Sequence, residues 1–107
     1  MTEEKFYIKI ISQQAERLVA ACDKEIINVS LLSRGIKVRA TNKFYGEELV
    51  TENELIEEIK KCTQANVIGN NVIELLVRNR FIHKEAILWL DNPENKNQKV
   101  GHAILIK

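Results

Sequence analysis

The side chains able to hold a metal, attack a carbonyl or move a proton are few: His83, His102, Cys22, Cys62 and the acidic residues. A zinc site needs His, Cys or carboxylate ligands at short, regular spacing. The histidines show no H-x-x-x-H pattern, and the cysteines lie 40 positions apart without a C-x-x-C neighbour. Free cysteine packs as a small apolar residue, so the two read as reduced, partly buried thiols, with a disulfide as the alternative if their Cα atoms come within about 7 Å. His102, beside Gly101 at the entry to a terminal strand, reads as a structural or surface imidazole rather than a general base. The chain has no G-x-S-x-G, no G-x-x-x-x-G-K and no G-x-G-x-x-G, which argues against a serine hydrolase, a P-loop NTPase and a dinucleotide enzyme. No cofactor and no metal are implied, and the reading is non-enzymatic.

Charge is the more informative signal. Residues 30–45 carry Arg34, Lys37, Arg39 and Lys43 with no acid, whereas residues 46–58 carry six glutamates and no base. Within that acidic block, Glu47, Glu48, Glu54, Glu57 and Glu58 form a candidate surface for a positively charged partner. A solvated acidic face explains them better than a catalytic carboxylate pair. The basic residues are the alternative surface, able to meet an acidic patch or RNA phosphates. Phe6, Tyr7, Phe44, Tyr45, Phe81 and Trp89 do not fall into an RNA-stacking motif, which leaves direct RNA binding the secondary reading.

A chain of 107 residues fits one domain, and 45% hydrophobic with 29% charged residues is the mixture of a globular protein. The formal charge of +1 announces no bulk attraction to nucleic acid or membrane. Apolar runs are only a few residues long, against the roughly 20 that span a bilayer, and the opening MTEEKFYIKI lacks a basic signal-peptide start. A cytoplasmic protein is expected.

The elements follow from periodicity. Lys5 to Ser12 and Arg17 to Cys22 predict a β-hairpin joined by the four residues QQAE. Asp23 to Gly35 matches neither period and reads as a helical turn or irregular link, followed by a half-buried strand in GIKVRAT. Thr51 with Glu54 predicts a capping box opening a helix from about Glu52 to Gln64. Gly69 breaks the pattern, and Asn70 or Asn71 is placed to cap a second helix to about Asn79, the two helices forming a hairpin. Ala86 to Leu90 and Val100 to Ile106 read as strands around the polar loop 91–98. The expectation is a single α+β domain over residues 1–107, a mainly antiparallel sheet of β-hairpins with a two-helix hairpin packed on it.

Three strings in order, KFYGEELV from Lys43 to Val50, ANVIG from Ala65 to Gly69 and GHAILI from Gly101 to Ile106, resemble the small archaeal proteins of domain-of-unknown-function family four-two-four. The likeness runs along essentially the whole chain, with Phe44, Tyr45, Gly46, Asn66, Gly69 and His102 as its distinctive positions. The resemblance implies a translation-associated, non-enzymatic factor. It would bind the gamma subunit of archaeal translation initiation factor two and promote that factor's release from mRNA 5′ ends. It carries over no catalytic residue. Turn, cap and packing roles account for the six residue types without partner contact.

Overall fold

The computed structural model describes residues 5–46, 48–95 and 97–107. The chain opens with β1 (Phe6–Gln13) and β2 (Glu16–Asp23), paired antiparallel with Phe6 opposite Asp23 and Gln13 opposite Glu16. The connection is therefore two residues rather than the four expected. Without a glycine, Gln14 itself takes the left-handed backbone at φ 55°, which the tight reversal demands. A series of turns leads to β3 (Ser30–Ser33), inside the stretch expected to be irregular, and then to β4 (Ile36–Arg39). Arg34 and Gly35 between them both have positive φ, 52° and 81°, the mirror-image turn that matches strand twist.

A single helical turn, α1 (Asn42–Tyr45), precedes the three-residue strand β5 (Glu48–Val50) and the helix α2 (Glu52–Lys61). The predicted capping box is present: the Thr51 hydroxyl accepts from the Glu54 N–H at 3.2 Å, and the Glu54 carboxylate accepts from the Thr51 N–H at 3.0 Å. The helix stops at Lys61 because Cys62 is already extended and Thr63 donates its N–H to the Arg17 carbonyl. Thus begins β6 (Gln64–Ile68), a strand absent from the sequence reading. It separates α2 from α3 (Asn70–Arg78), so the two helices share a face of the sheet without forming a hairpin. A 3-10 turn over Lys84–Ala86, β7 (Leu88–Asp91) and β8 (Lys99–Ile106) complete the chain.

The eight strands form one sheet in the order β4-β3-β7-β8-β6-β2-β1-β5, antiparallel except for the pair β2 and β6. The fold is α+β with a mainly antiparallel sheet, as expected from hairpins flanking the helices in sequence. One face is covered by α2 and α3, whose Leu55, Ile59, Val72 and Leu76 are fully buried against Phe6, Val19, Ala21 and Val67. Each such aliphatic side chain contributes about 1.5–3 kcal/mol by leaving water. The other face holds a smaller core in which Leu31, Tyr45 and Ile68 meet Cys22 and Leu90. Among the described residues no helix is long and apolar enough to cross a membrane.

Candidate functional site

Where α1 turns back toward the sheet, the local chemistry is tight. Thr41 caps it by accepting from the Phe44 N–H, and Gly46 ends it at φ 96° with its N–H on the Asn42 carbonyl. A Cβ on Gly46 would lie 2.0 Å from the Ile8 carbonyl oxygen, so only glycine lets the chain cross β1 this closely. That crossing sets Lys43 and Glu48 beside Lys9 and Ile10. The capping box aims the solvent side of α2 at the same place. Between them runs a groove of about 1110 Å³ with Ile8, Ile10 and Val50 on its floor and Glu48, Glu54, Glu57 and Glu58 along its wall.

Four of the five glutamates singled out from sequence are thus brought together; the fifth, Glu47, lies outside the described residues. They are not equivalent. Glu54 is committed to the helix cap. Glu58 accepts from Arg17 at 2.7 Å and pairs with Lys61 at 3.5 Å, and the hydrogen bond from Arg17 holds its carboxyl below the usual range. Glu57 makes only an exposed pair with Lys60 at 3.4 Å, and Glu48 is exposed at the groove mouth. Lys9 and Lys43 sit on the opposite lip, the Lys9 ammonium donating to the Lys43 carbonyl at 2.6 Å.

The basic set does not assemble in the same way. Lys37 and Arg39 lie on edge strand β4 opposite Leu32 and Ser30, Arg39 donates to the Asn28 carbonyl at 3.1 Å, and Arg34 occupies the hairpin turn. Lys43 belongs to the groove instead.

The three strings quoted from the sequence meet at one point on the second face. The Tyr45 hydroxyl donates to Asn66 Oδ1 at 2.7 Å, and His102 Nε2 lies 2.9 Å from the same oxygen. An amide oxygen can only accept, and its two lone pairs serve the tyrosine and the ring, which fixes His102 as the Nε2–H tautomer when neutral. Burial lowers its pKa from the ordinary histidine value. Phe44 packs edge-on against Tyr45 with ring centres 4.8 Å apart. The cluster is a brace that pins α1 to β6 and β8, and through α1 positions Lys43 at the groove. Asn66 works from inside a strand rather than from a link between helices.

Sequence reasoning missed Asp23. Its carboxylate accepts the N–H of Asn71 and of Val72, each at 2.8 Å, and so caps α3 from across the sheet. The cap expected from Asn70 or Asn71 themselves is not made: Gly69 is the N-cap residue, at φ 122° and with no side chain to offer. Asn70 instead bridges β8, accepting from the Gly101 N–H and donating to the Lys99 carbonyl, both at 2.8 Å. Burial pushes the Cys22 thiol up to about 12, and Cys62 upward, so neither is a ready nucleophile. Among the described residues no group of three His, Cys, Asp or Glu side chains is placed to hold a metal ion.

The family model described as "Protein of unknown function (DUF424)" matches residues 11–102. The chain belongs to this family. The match spans Tyr45, Asn66 and His102 together with the glutamates of the groove, so the brace and the acidic wall both lie within the DUF424 region. A solved structure described as an uncharacterized conserved protein from Methanopyrus kandleri has the same fold, with a TM-score of 0.70 and 16% identity. The alignment covers 96% of the DUF424 chain and 94% of that protein. A search of the curated proteins finds no match.

Proposed function

We propose that this protein is a non-enzymatic, cytoplasmic translation-associated factor that binds the gamma subunit of archaeal translation initiation factor two and promotes its release from mRNA 5′ ends. The reading joins two things: the likeness of the sequence strings to the DUF424 member called translation recovery factor, and one structural observation. That observation is the groove, in which an apolar floor is walled by Glu48, Glu54, Glu57 and Glu58. A protein that holds an anionic RNA end must present positive charge, and an acidic groove is complementary to such a surface. Release requires that the factor bind the RNA-free gamma subunit more tightly than the RNA-loaded one, because equal affinity shifts no equilibrium.

The experiment is affinity capture of the isolated gamma subunit, followed by competition with 5′-triphosphorylated RNA. Capture that survives nuclease treatment and weakens as RNA is added supports the reading. Capture that disappears with nuclease favours the alternative, an RNA-binding module acting through Arg34, Lys37, Arg39 and Lys43. Of that set only Lys43 lines the groove, Lys37 and Arg39 standing on edge strand β4 and Arg34 in its turn.

A further inference from the structure

Strand β1 is longer than its outer neighbour. β5 pairs with Phe6, Tyr7 and Ile8 alone, so the strand edge from Ile10, which lines the groove, onward to Gln13 has no partner strand among the described residues. Which backbone groups point outward can be worked out from β2. Both the N–H and the C=O of Arg17 are taken by Thr63 on the side away from β1. Ser12 is opposite Arg17, so theirs is a pair without mutual hydrogen bonds, and Ser12 turns its own N–H and C=O outward. The pattern repeats every second residue, which gives Ile10 the same orientation. The edge thus offers two donors and two acceptors in the spacing of a β-ladder.

We propose that this edge takes up an extended, basic peptide segment of a partner protein as an added β-strand, lying end to end with β5. Alternate side chains of such a strand would point to the helix side. There they meet Ile10, 37% exposed, and the carboxylates of Glu54, Glu57 and Glu58. Lysine or arginine at those positions satisfies the wall. The intervening side chains face Lys9 and Lys43, which disfavours a uniformly basic segment and selects one alternating basic with apolar residues. A second copy of this chain added through the same edge would bring its own glutamates against these, and RNA phosphates would meet like charge. The charge of the occupant rests on the acidic-groove reading given above; the strand edge does not.

The test uses the full chain, the isolated gamma subunit and, as a probe independent of that partner, an eight-residue peptide alternating valine and lysine. Amide hydrogen exchange at Ile10 and Ser12 is followed with and without each. Ser12→Pro deletes one outward N–H without touching the β1–β2 ladder, as edge proline can; Ser12→Ala removes only the hydroxyl that accepts from Arg17. Binding should slow exchange at both amides by about tenfold or more, and S12P should weaken binding about tenfold while S12A stays within about twofold. Should S12P not fold, exchange on the native chain decides alone. Gamma-subunit binding that leaves both amides exchanging freely and S12P at full affinity overturns strand addition and leaves the groove reading standing. Protection by the peptide with no gamma-subunit binding sustains strand addition and removes that partner. Protection by neither overturns it.

Discussion

The carboxylate of Asp23, at the last residue of β2, accepts the backbone N–H of Val72 at 2.8 Å and thereby joins the sheet to the start of α3. The first turn of a helix leaves donors unpaired, and here they are met by a side chain 49 positions away rather than by a local cap. Gly69 makes the approach possible: a Cβ there would lie 2.3 Å from Asp23 Cγ. The same residue donates its N–H to the Gly101 carbonyl, so β2, β8 and α3 converge on one short turn.

Burial is the largest influence on Asp23 and pushes its pKa from 3.8 up to about 6, against the lowering effect of the Asn71 and Val72 amides. An acid whose folded pKa is raised binds its proton more tightly when folded. The associated stability is present below the unfolded pKa and is lost as pH rises from about 4 through 6. Two pKa units correspond to a contribution on the order of 2–3 kcal/mol. Urea unfolding between pH 4 and pH 7 should show this as a margin of wild type over Asp23→Asn that shrinks as pH rises, the opposing His102 contribution being common to both. A wild-type profile that rises across that window with the same slope as the variant's would refute the assignment.

Gly69 and Gly35 both have positive φ, 122° and 81°, yet replacing them should have unequal effects. A Cβ on Gly35 meets nothing within 4 Å, so Gly35→Ala carries only the backbone penalty of about 1 kcal/mol. Gly69→Ala adds collision with a buried carboxylate and should cost at least about 2 kcal/mol more. Thermal unfolding of the two variants side by side measures the gap.

Much of this architecture could be read from local signals and the rest could not, for identifiable reasons. Thr51 and Glu54 lie three apart, and the capping box they announce is present. Leu55 and Ile59 mark an inward stripe that is indeed buried. By contrast, β6 is only five residues long, and although polar and apolar residues alternate from Gln64 to Val67, its Ala65 and Asn66 are poor strand formers, so the segment passes for a helix end and a link. Asp23 capping α3 leaves no trace at all, since nothing near residue 23 in sequence indicates a helix start near residue 70. The grouping of glutamates was legible because they are contiguous in sequence. The division between those that hold the fold and those left free required coordinates.

His102 and Asp23 should respond to pH in opposite senses. Burial lowers the His102 pKa, so the folded state binds its proton more weakly than the unfolded chain. That stability is present above the unfolded value of 6.5 and is lost as pH falls through it. Placing a carboxylate on the shared acceptor, Asn66→Asp, should reverse the direction and raise the His102 pKa above the ordinary histidine value. Titration of the ring by NMR gives both directly. Tyr45→Phe should cost about 1 kcal/mol with little effect on the ring, because only one of the two hydrogen bonds on Asn66 is lost.

Among the groove glutamates, reversing charge should separate folding from binding. Glu54→Lys removes half of the capping box, and Glu58→Lys sets a cation against Arg17 and Lys61, so each should lower stability by about 1 kcal/mol. Glu48 and Glu57 carry no such duty: one is exposed at the mouth, and the other has only its surface pair with Lys60. The double variant Glu48→Lys/Glu57→Lys should therefore unfold within about 0.5 kcal/mol of wild type. If the groove docks a basic surface, the same variant should lose affinity for the gamma subunit by roughly tenfold at low salt, and the difference should narrow as salt screens the charges. Arg34→Glu/Lys37→Glu, at the far edge of the sheet, should leave that affinity unchanged. A loss confined to the basic-edge variant, with Glu48→Lys/Glu57→Lys binding at full strength, would move the contact from the groove to the β3–β4 hairpin.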